Sequence, residues 1–99
     1  MPKAYVLGQV NVADEKQYFE QYGQYVPAIV EKYGGKYLVR GGDITNVEGA
    51  LPSKRIVIME FEDKEAALNW YNSPEYQSIV SGRHDNAQSV INIIEGIWI

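Results

Sequence analysis

Six segments follow one another along this chain with apolar spacing that switches between the strand period of two and the helix period of about 3.6 residues. That succession restricts the fold more than any other feature of the sequence. Ala4 to Val12 alternates and is rich in β-branched and aromatic residues, which predicts a strand. Asp14 then stands where an N-cap belongs, with Gln17 three residues on as a capping-box partner. Tyr18, Tyr22, Tyr25, Ile29 and Tyr33 follow at helical spacing. Pro27 lies inside that run and removes a helical hydrogen bond, so a kink or short break is expected between Gly23 and Pro27. Gly34 and Gly35 are expected to end the helix as left-handed caps.

Lys36 to Arg40 and Ile56 to Phe61 read as two further strands, joined by a long connection with turn residues at both ends. Asp63 opens a second helical segment through Ala66, Ala67, Trp70 and Tyr71; Ser73 as cap and Pro74 at the first helical position restart it. Gly82 to Asn86 reads as a polar loop, and Ser89 to Glu95 as the last strand. Strand, helix, strand, strand, helix, strand is the order of the ferredoxin-like βαββαβ unit, an α+β fold with a four-stranded antiparallel sheet and helices on one face. Residues 1–99 are expected to form a single domain, since a chain this short supports only one core.

The strands carry apolar residues in both phases, whereas a sheet with one wet face should alternate apolar and polar. An uncovered apolar face of that size calls for a partner, and pairing with a second copy through that face is the commonest solution. One phase, with Val6, Val10, Tyr37, Val39, Val57, Met59, Phe61, Ile91 and Ile93, is free of charge and suits the helix-covered core. The other holds Tyr5, Leu7, Gln9, Leu38, Arg40, Ile56, Ile58, Glu60, Val90, Asn92 and Ile94. Its polar exceptions, Gln9, Arg40, Glu60 and Asn92, define the candidate small-molecule site, with Tyr5 beside them. The alternative for Arg40 and Glu60 is a structural ion pair.

Composition removes several function classes. Without cysteine there are no disulfides, thiolate metal sites, Fe–S clusters or cysteine nucleophiles. Nine basic and thirteen acidic residues give a net charge of −4 with the cations scattered, which argues against nucleic acid. No stretch approaches the roughly 20 apolar residues that cross a bilayer. Met1-Pro2-Lys3 leads straight into the first strand without the apolar core of a secretory signal, so a cytoplasmic location is expected. His84 is the single histidine and a candidate general base; in Gly82-Arg83-His84-Asp85-Asn86 it equally reads as a surface residue. One histidine without cysteine makes a metal site unexpected. Trp70 and Tyr71, with the tyrosine stripe, suit either a ligand pocket or plain core. Arg40-Gly41-Gly42-Asp43 lacks the spacing of a phosphate loop and reads as a turn.

Lys32-Tyr33-Gly34-Gly35-Lys36-Tyr37-Leu38-Val39-Arg40-Gly41-Gly42, followed by Glu60-Phe61, Ala66-Ala67 and Trp70-Tyr71-Asn72-Ser73-Pro74-Glu75-Tyr76, resembles the family of domain of unknown function 1330 over nearly the whole chain. The resemblance implies a dimeric α+β barrel, in which two sheets face each other across a two-fold axis. Superfamily members include cofactor-independent quinol monooxygenases, haem-degrading enzymes, muconolactone isomerases and chlorite dismutases, so the fold selects no single chemistry. Here Val80 to Asn86 is more polar than the resemblance leads one to expect. Three functions follow as expectations. The first is a cofactor-independent, monooxygenase- or isomerase-like enzyme on a small aromatic or lactone-like substrate, with Arg40 on an anionic or enolate oxygen and Glu60 or His84 moving a proton. The second is a ligand-sensing dimer that uses the same cavity, and the third a purely structural dimer. None calls for a bound cofactor.

Overall fold

β1 (Ala4–Val12) runs through the middle of the sheet, and its burial alternates as the period of two predicts: Ala4, Val6, Gly8 and Val10 are buried, Tyr5, Leu7 and Gln9 half-buried. The computed structural model describes residues 2–98. After β1 come α1 (Glu15–Tyr18), a π-helical turn (Phe19–Gly23) and α2 (Val26–Lys32). β2 (Lys36–Arg40), β3 (Arg55–Phe61), α3 (Lys64–Tyr71), α4 (Pro74–Gln77), α5 (Val80–Asn86) and β4 (Ala87–Glu95) follow. The strands form one antiparallel sheet in the order β2-β3-β1-β4, the ferredoxin-like arrangement.

The helix starts are fixed by side chains that take up backbone donors left free in a first turn. Asp14 accepts from the Gln17 N–H at 3.0 Å, Asp63 from Ala66 at 2.8 Å, and Ser73 from Tyr76 at 3.1 Å. Each such cap stabilises its helix by about 0.5–2 kcal/mol. The break expected between Gly23 and Pro27 is present: the π-helical turn ends at Gly23 and α2 starts at Val26, so Pro27 sits in a first turn where its missing N–H costs nothing.

Four expectations need correction. Gly82 to Asn86 is not a loop but most of α5, which docks on the π-helical turn. Gly34 takes a left-handed φ of 81°, whereas Gly35 does not; its role is space, because a Cβ there would lie 2.6 Å from the Phe61 ring. The third strand starts at Arg55, one residue early, which puts a cation in the phase read as charge-free. Finally, a β-bulge in β2 breaks the period: Tyr37 pairs with Met59, Val39 with Ile58 and Arg40 with Val57, so Leu38 is the extra residue. Val39 therefore leaves the core phase and Arg40 enters it.

Helices and inner sheet face enclose an aromatic core. The Trp70 ring lies 4.4 Å from Tyr76 and 5.6 Å from Phe61, centroid to centroid, and all three are buried. Truncating a ring in such a setting costs about 3–5 kcal/mol. At the rim, Glu75 on α4 accepts from the Tyr33 hydroxyl at 2.9 Å and pairs with Lys32, tying α4 to the end of α2.

The Lys32 contact, helped by Tyr33, holds the Glu75 carboxyl down at about 2, against an ordinary value of 4.5. On acidification the unfolded chain therefore takes up this proton first. The contribution of Glu75 is complete above pH 4.5 and is lost as the pH falls toward 2. Melting temperature measured from pH 6 to pH 2 should fall less steeply for Glu75→Gln than for the parent; parallel curves would remove Glu75 from the acid response.

Candidate functional site

Between the inner sheet face and the helices lies a cavity with a free volume of about 30 Å³, room for one or two waters. Its floor is Gly8, Val57, Met59 and Ile91; its walls are Tyr18, Tyr22, Tyr37, Tyr76 and Trp70. Gly8 keeps the middle of the floor low, since a Cβ there would already touch Ile91 and Val57 at 3.4 and 3.5 Å. A glycine inside a central strand often marks such a close approach.

Three arginines enter this space from three elements. Arg40 is turned inward by the bulge; its Nη2 donates to the Gly23 carbonyl at 2.9 Å and its guanidinium lies 5.0 Å from the Tyr37 ring centre. Arg40 is itself exposed, so it spans the opening between β2 and the π-helical turn. Arg55 lies on β3, with its guanidinium 5.7 Å from the Tyr18 ring centre. Arg83 projects from α5, is 3% exposed, donates through Nη1 to the Ser89 hydroxyl and lies 5.8 Å from the Tyr22 ring centre. α5 approaches closely enough because residue 82 is glycine: a Cβ would stand 2.7 Å from the Gln21 carbonyl oxygen. Asn86 strengthens the contact by donating to the Gly82 carbonyl at 2.8 Å and to the Gln21 side chain at 3.1 Å.

The hydrogen-bonding balance of the cavity is one-sided. Arg55 Nε, Arg83 Nε and Trp70 Nε1 are buried donors without partners among the described residues. A buried polar group left in that state costs about 1–3 kcal/mol, more when charged. Among the described residues no carboxylate or imidazole lines the cavity, and none of its arginines joins a salt bridge. The Tyr22 and Tyr76 hydroxyls share a 2.6 Å hydrogen bond. Burial pushes the Tyr22 phenol far above its ordinary range, reinforced by Tyr76, and raises Tyr76 and Tyr18 as well. Burial likewise lifts Tyr37 to about 12. The phenols stay protonated near neutrality, so the site offers hydrogen-bond donors and positive charge, and no ionised base.

The candidates drawn from the sequence are divided by this geometry. Arg40 and Trp70 line the cavity. Tyr5, Gln9, Glu60 and Asn92 lie together on the outer face, where Tyr5 pairs with Glu60, Gln9 with Ile56 and Asn92 with Leu7. The Arg40–Glu60 ion pair does not form; Glu60 instead meets Lys3 at 3.2 Å and Lys36 at 3.4 Å. The Lys3 hydrogen bond sets the Glu60 carboxyl below its ordinary range. His84 is exposed on the far side of α5, in a surface cleft with Asn11, Asp85 and Gln88. Tyr18 and Tyr22 come from the tyrosine stripe read as pocket or core, whereas Gly8, Tyr76, Arg55 and Arg83 join the site without having been singled out. Two signals for them were present: Gly8 interrupts a central strand, and Arg55 shares the phase of Val57 and Met59.

The sequence profile of the family described as domain of unknown function (DUF1330) matches residues 3–97. No curated protein matches the chain. Among solved structures, a protein of unknown function from Rhodopseudomonas palustris is similar at TM-score 0.73 and 18% identity, covering 99% of this chain and 85% of its own. SnoaB, a cofactor-independent oxygenase from Streptomyces nogalater, is similar at TM-score 0.64 and 7% identity, covering 100% and 97%. A protein from Caulobacter crescentus CB15, provisionally assigned as an antibiotic biosynthesis monooxygenase, is similar at TM-score 0.66 and 12% identity, covering 98% and 92%. At these identities the likeness establishes the fold.

Because Gly82 holds α5, and with it Arg83, against the π-helical turn, Gly82→Ala should lower stability by about 1–3 kcal/mol, the usual cost of overpacking. Denaturant unfolding of the two proteins measures this, and an unchanged midpoint would mean that α5 is not seated by that contact.

Proposed function

We propose that this chain, which belongs to the domain of unknown function 1330 family, is a homodimer that binds a small aromatic or lactone-like molecule in the cavity between sheet and helices. The observation that carries the reading is the convergence of three partnerless buried donors, on Arg55, Arg83 and Trp70, in one aromatic-walled space. Groups left so are costly in an empty core and useful where a ligand oxygen meets them. Arg40 at the opening is placed to close over the ligand and hold its outermost oxygen. Glu60 and His84 have no part in this reading, since their side chains lie on other surfaces.

The homodimer rests on the outer sheet face. Leu7, Ile56 and Ile58 lie there beside Val39, Val90 and Ile94, which are 37%, 55% and 50% exposed. Apolar exposure continues into the 41–54 connection, with Ile44, Val47 and Leu51. A monomer rarely leaves so continuous an apolar surface in water. Tyr5, Gln9 and Asn92 belong to this interface and not to the ligand cavity. Sedimentation at micromolar concentration should give twice 11.2 kDa, and Ile58→Asp should halve it without loss of helix signal. A parent protein that sediments at 11.2 kDa would refute the dimer.

The cavity is tested through Trp70, whose ring is part of its wall. In a Trp98→Phe background, where Trp70 is the remaining tryptophan, hydroquinone should quench the emission saturably. Gly8→Ala, which raises the floor by one methyl group, should weaken the saturable part and leave the dimer intact. Quenching that is equal in both proteins, or absent from the parent, would place the ligand elsewhere. A second reading, cofactor-independent oxygenation of the bound molecule, is favoured by the fold shared with the Streptomyces nogalater oxygenase. Oxygen consumption on adding the quinol separates it from binding alone.

A further inference from the structure

Arg83 stands out as a charge that the fold buries and does not neutralise. It is 3% exposed, its Nη1 is bonded only to a neutral hydroxyl, and its Nε has no partner among the described residues. Arginine cannot shed its proton to escape such a site. Arg55 and Arg40 bring two more guanidinium groups to the same cavity, and they face phenols, an indole N–H, apolar side chains and, for Arg40, the Gly23 carbonyl. A chain with net charge −4 has thus gathered three cations around one cavity, unmatched by any carboxylate among the described residues that line it.

We infer that the ligand of this cavity is an oxyanion already ionised at neutral pH, a carboxylate in chemical class, seated on Arg83 and Arg55 and covered by Arg40. A carboxylate supplies acceptors for the Arg55 and Arg83 Nε–H groups that have no partner among the described residues, and the negative charge that the guanidinium groups are without. Because the chain presents no ionised base there, the ligand arrives already charged. The free volume suits a carboxylate group as it stands, and an aromatic body enters when Arg40 swings away from the Gly23 carbonyl. The inference rests on the cavity reading above and adds to it both the charge of the ligand and the residue that receives it. It also gives the empty protein a built-in weakness: the buried cation is uncompensated until the anion binds, so ligand and stability are coupled.

The test uses the full chain with acetate, benzoate and the neutral benzyl alcohol, at constant ionic strength, read by calorimetry and by melting temperature. Acetate or benzoate should bind at least about tenfold more tightly than benzyl alcohol, the worth of one charge-assisted hydrogen bond. Which of the two anions is preferred reports whether the aromatic walls take part. Arg83→Met should melt higher than the parent when both are empty, because the unpaired charge is gone, and should lose the anion-induced rise. Arg55→Gln, on a less buried residue, should weaken the anion while leaving the fold intact. Equal binding of benzyl alcohol and benzoate would overturn the anion and leave the cavity standing. Binding of none of the three would overturn the cavity itself. An Arg83→Met protein that melts lower than the parent, or an Arg55→Gln protein with undiminished anion affinity, would reduce these arginines to structural parts.

Discussion

The 2.6 Å hydrogen bond between the Tyr22 and Tyr76 hydroxyls joins the two halves of the helical layer inside the core. Tyr22 belongs to the π-helical turn between α1 and α2, and Tyr76 to α4; the two are 54 residues apart in the chain. Their rings stand edge to face at 5.9 Å, and Tyr76 leans on Trp70, which leans on Phe61 of β3. Each phenol satisfies the other, so both bury without stranding a hydroxyl, and a net hydrogen bond of this kind contributes about 0.5–1.5 kcal/mol. Position matters more than this energy. Both rings line the cavity that the three arginines also line, with the Arg83 guanidinium 5.8 Å from the Tyr22 ring centre.

The same sheet is used twice, with different chemistry on its two faces. On the inner face the helices exclude water, and the polar side chains that line the cavity there are arginines, tyrosines and a tryptophan. On the outer face the polar groups are neutral amides, a tyrosine and a glutamate already held by Lys3 and Lys36. The reversal is instructive, because a strict period of two assigns Arg40 to the outer set and leaves the inner set uncharged. One extra residue, Leu38, moves Arg40 to the other side. Bulges re-aim side chains near functional sites in this way, and a single-residue slip exchanges every side chain beyond it.

Legibility in the sequence follows from how local each determinant is. The alternation of β1, the helix starts at Asp14, Asp63 and Ser73, and the break before Pro27 are all decided within a few residues, and each is found where the sequence places it. The family likewise agrees with the motifs that point to it. What escapes is non-local. α5 was hidden because Gly82, Arg83, His84, Asp85 and Asn86 are polar and weak in apolar spacing; the helix is held by its fit on Gln21, a residue 61 positions earlier. The bulge at Leu38 is fixed by pairing with β3 and leaves no mark in β2 itself. Both errors fell on the site: one concealed Arg83, and the other put Arg40 on the wrong face.

Sequence reasoning also looks for the wrong kind of residue in a site such as this one. Histidines and carboxylates attract attention because they can accept or give up a proton in a reaction at neutral pH, and His84 and Glu60 were candidates for that role. The cavity is built from groups that do not titrate there: guanidinium ions fixed in charge, and phenols held protonated by burial. Such groups have no means of moving protons at neutral pH, but they can hold negative charge at no cost in reorganisation, since their dipoles and charges are set when the chain folds. A small core stabilised only by burial has little reason to carry three arginines inward, because each adds a desolvation cost that apolar residues of similar size avoid. Their presence on three separate elements, directed at one volume, is therefore most economically read as a requirement of what the volume receives.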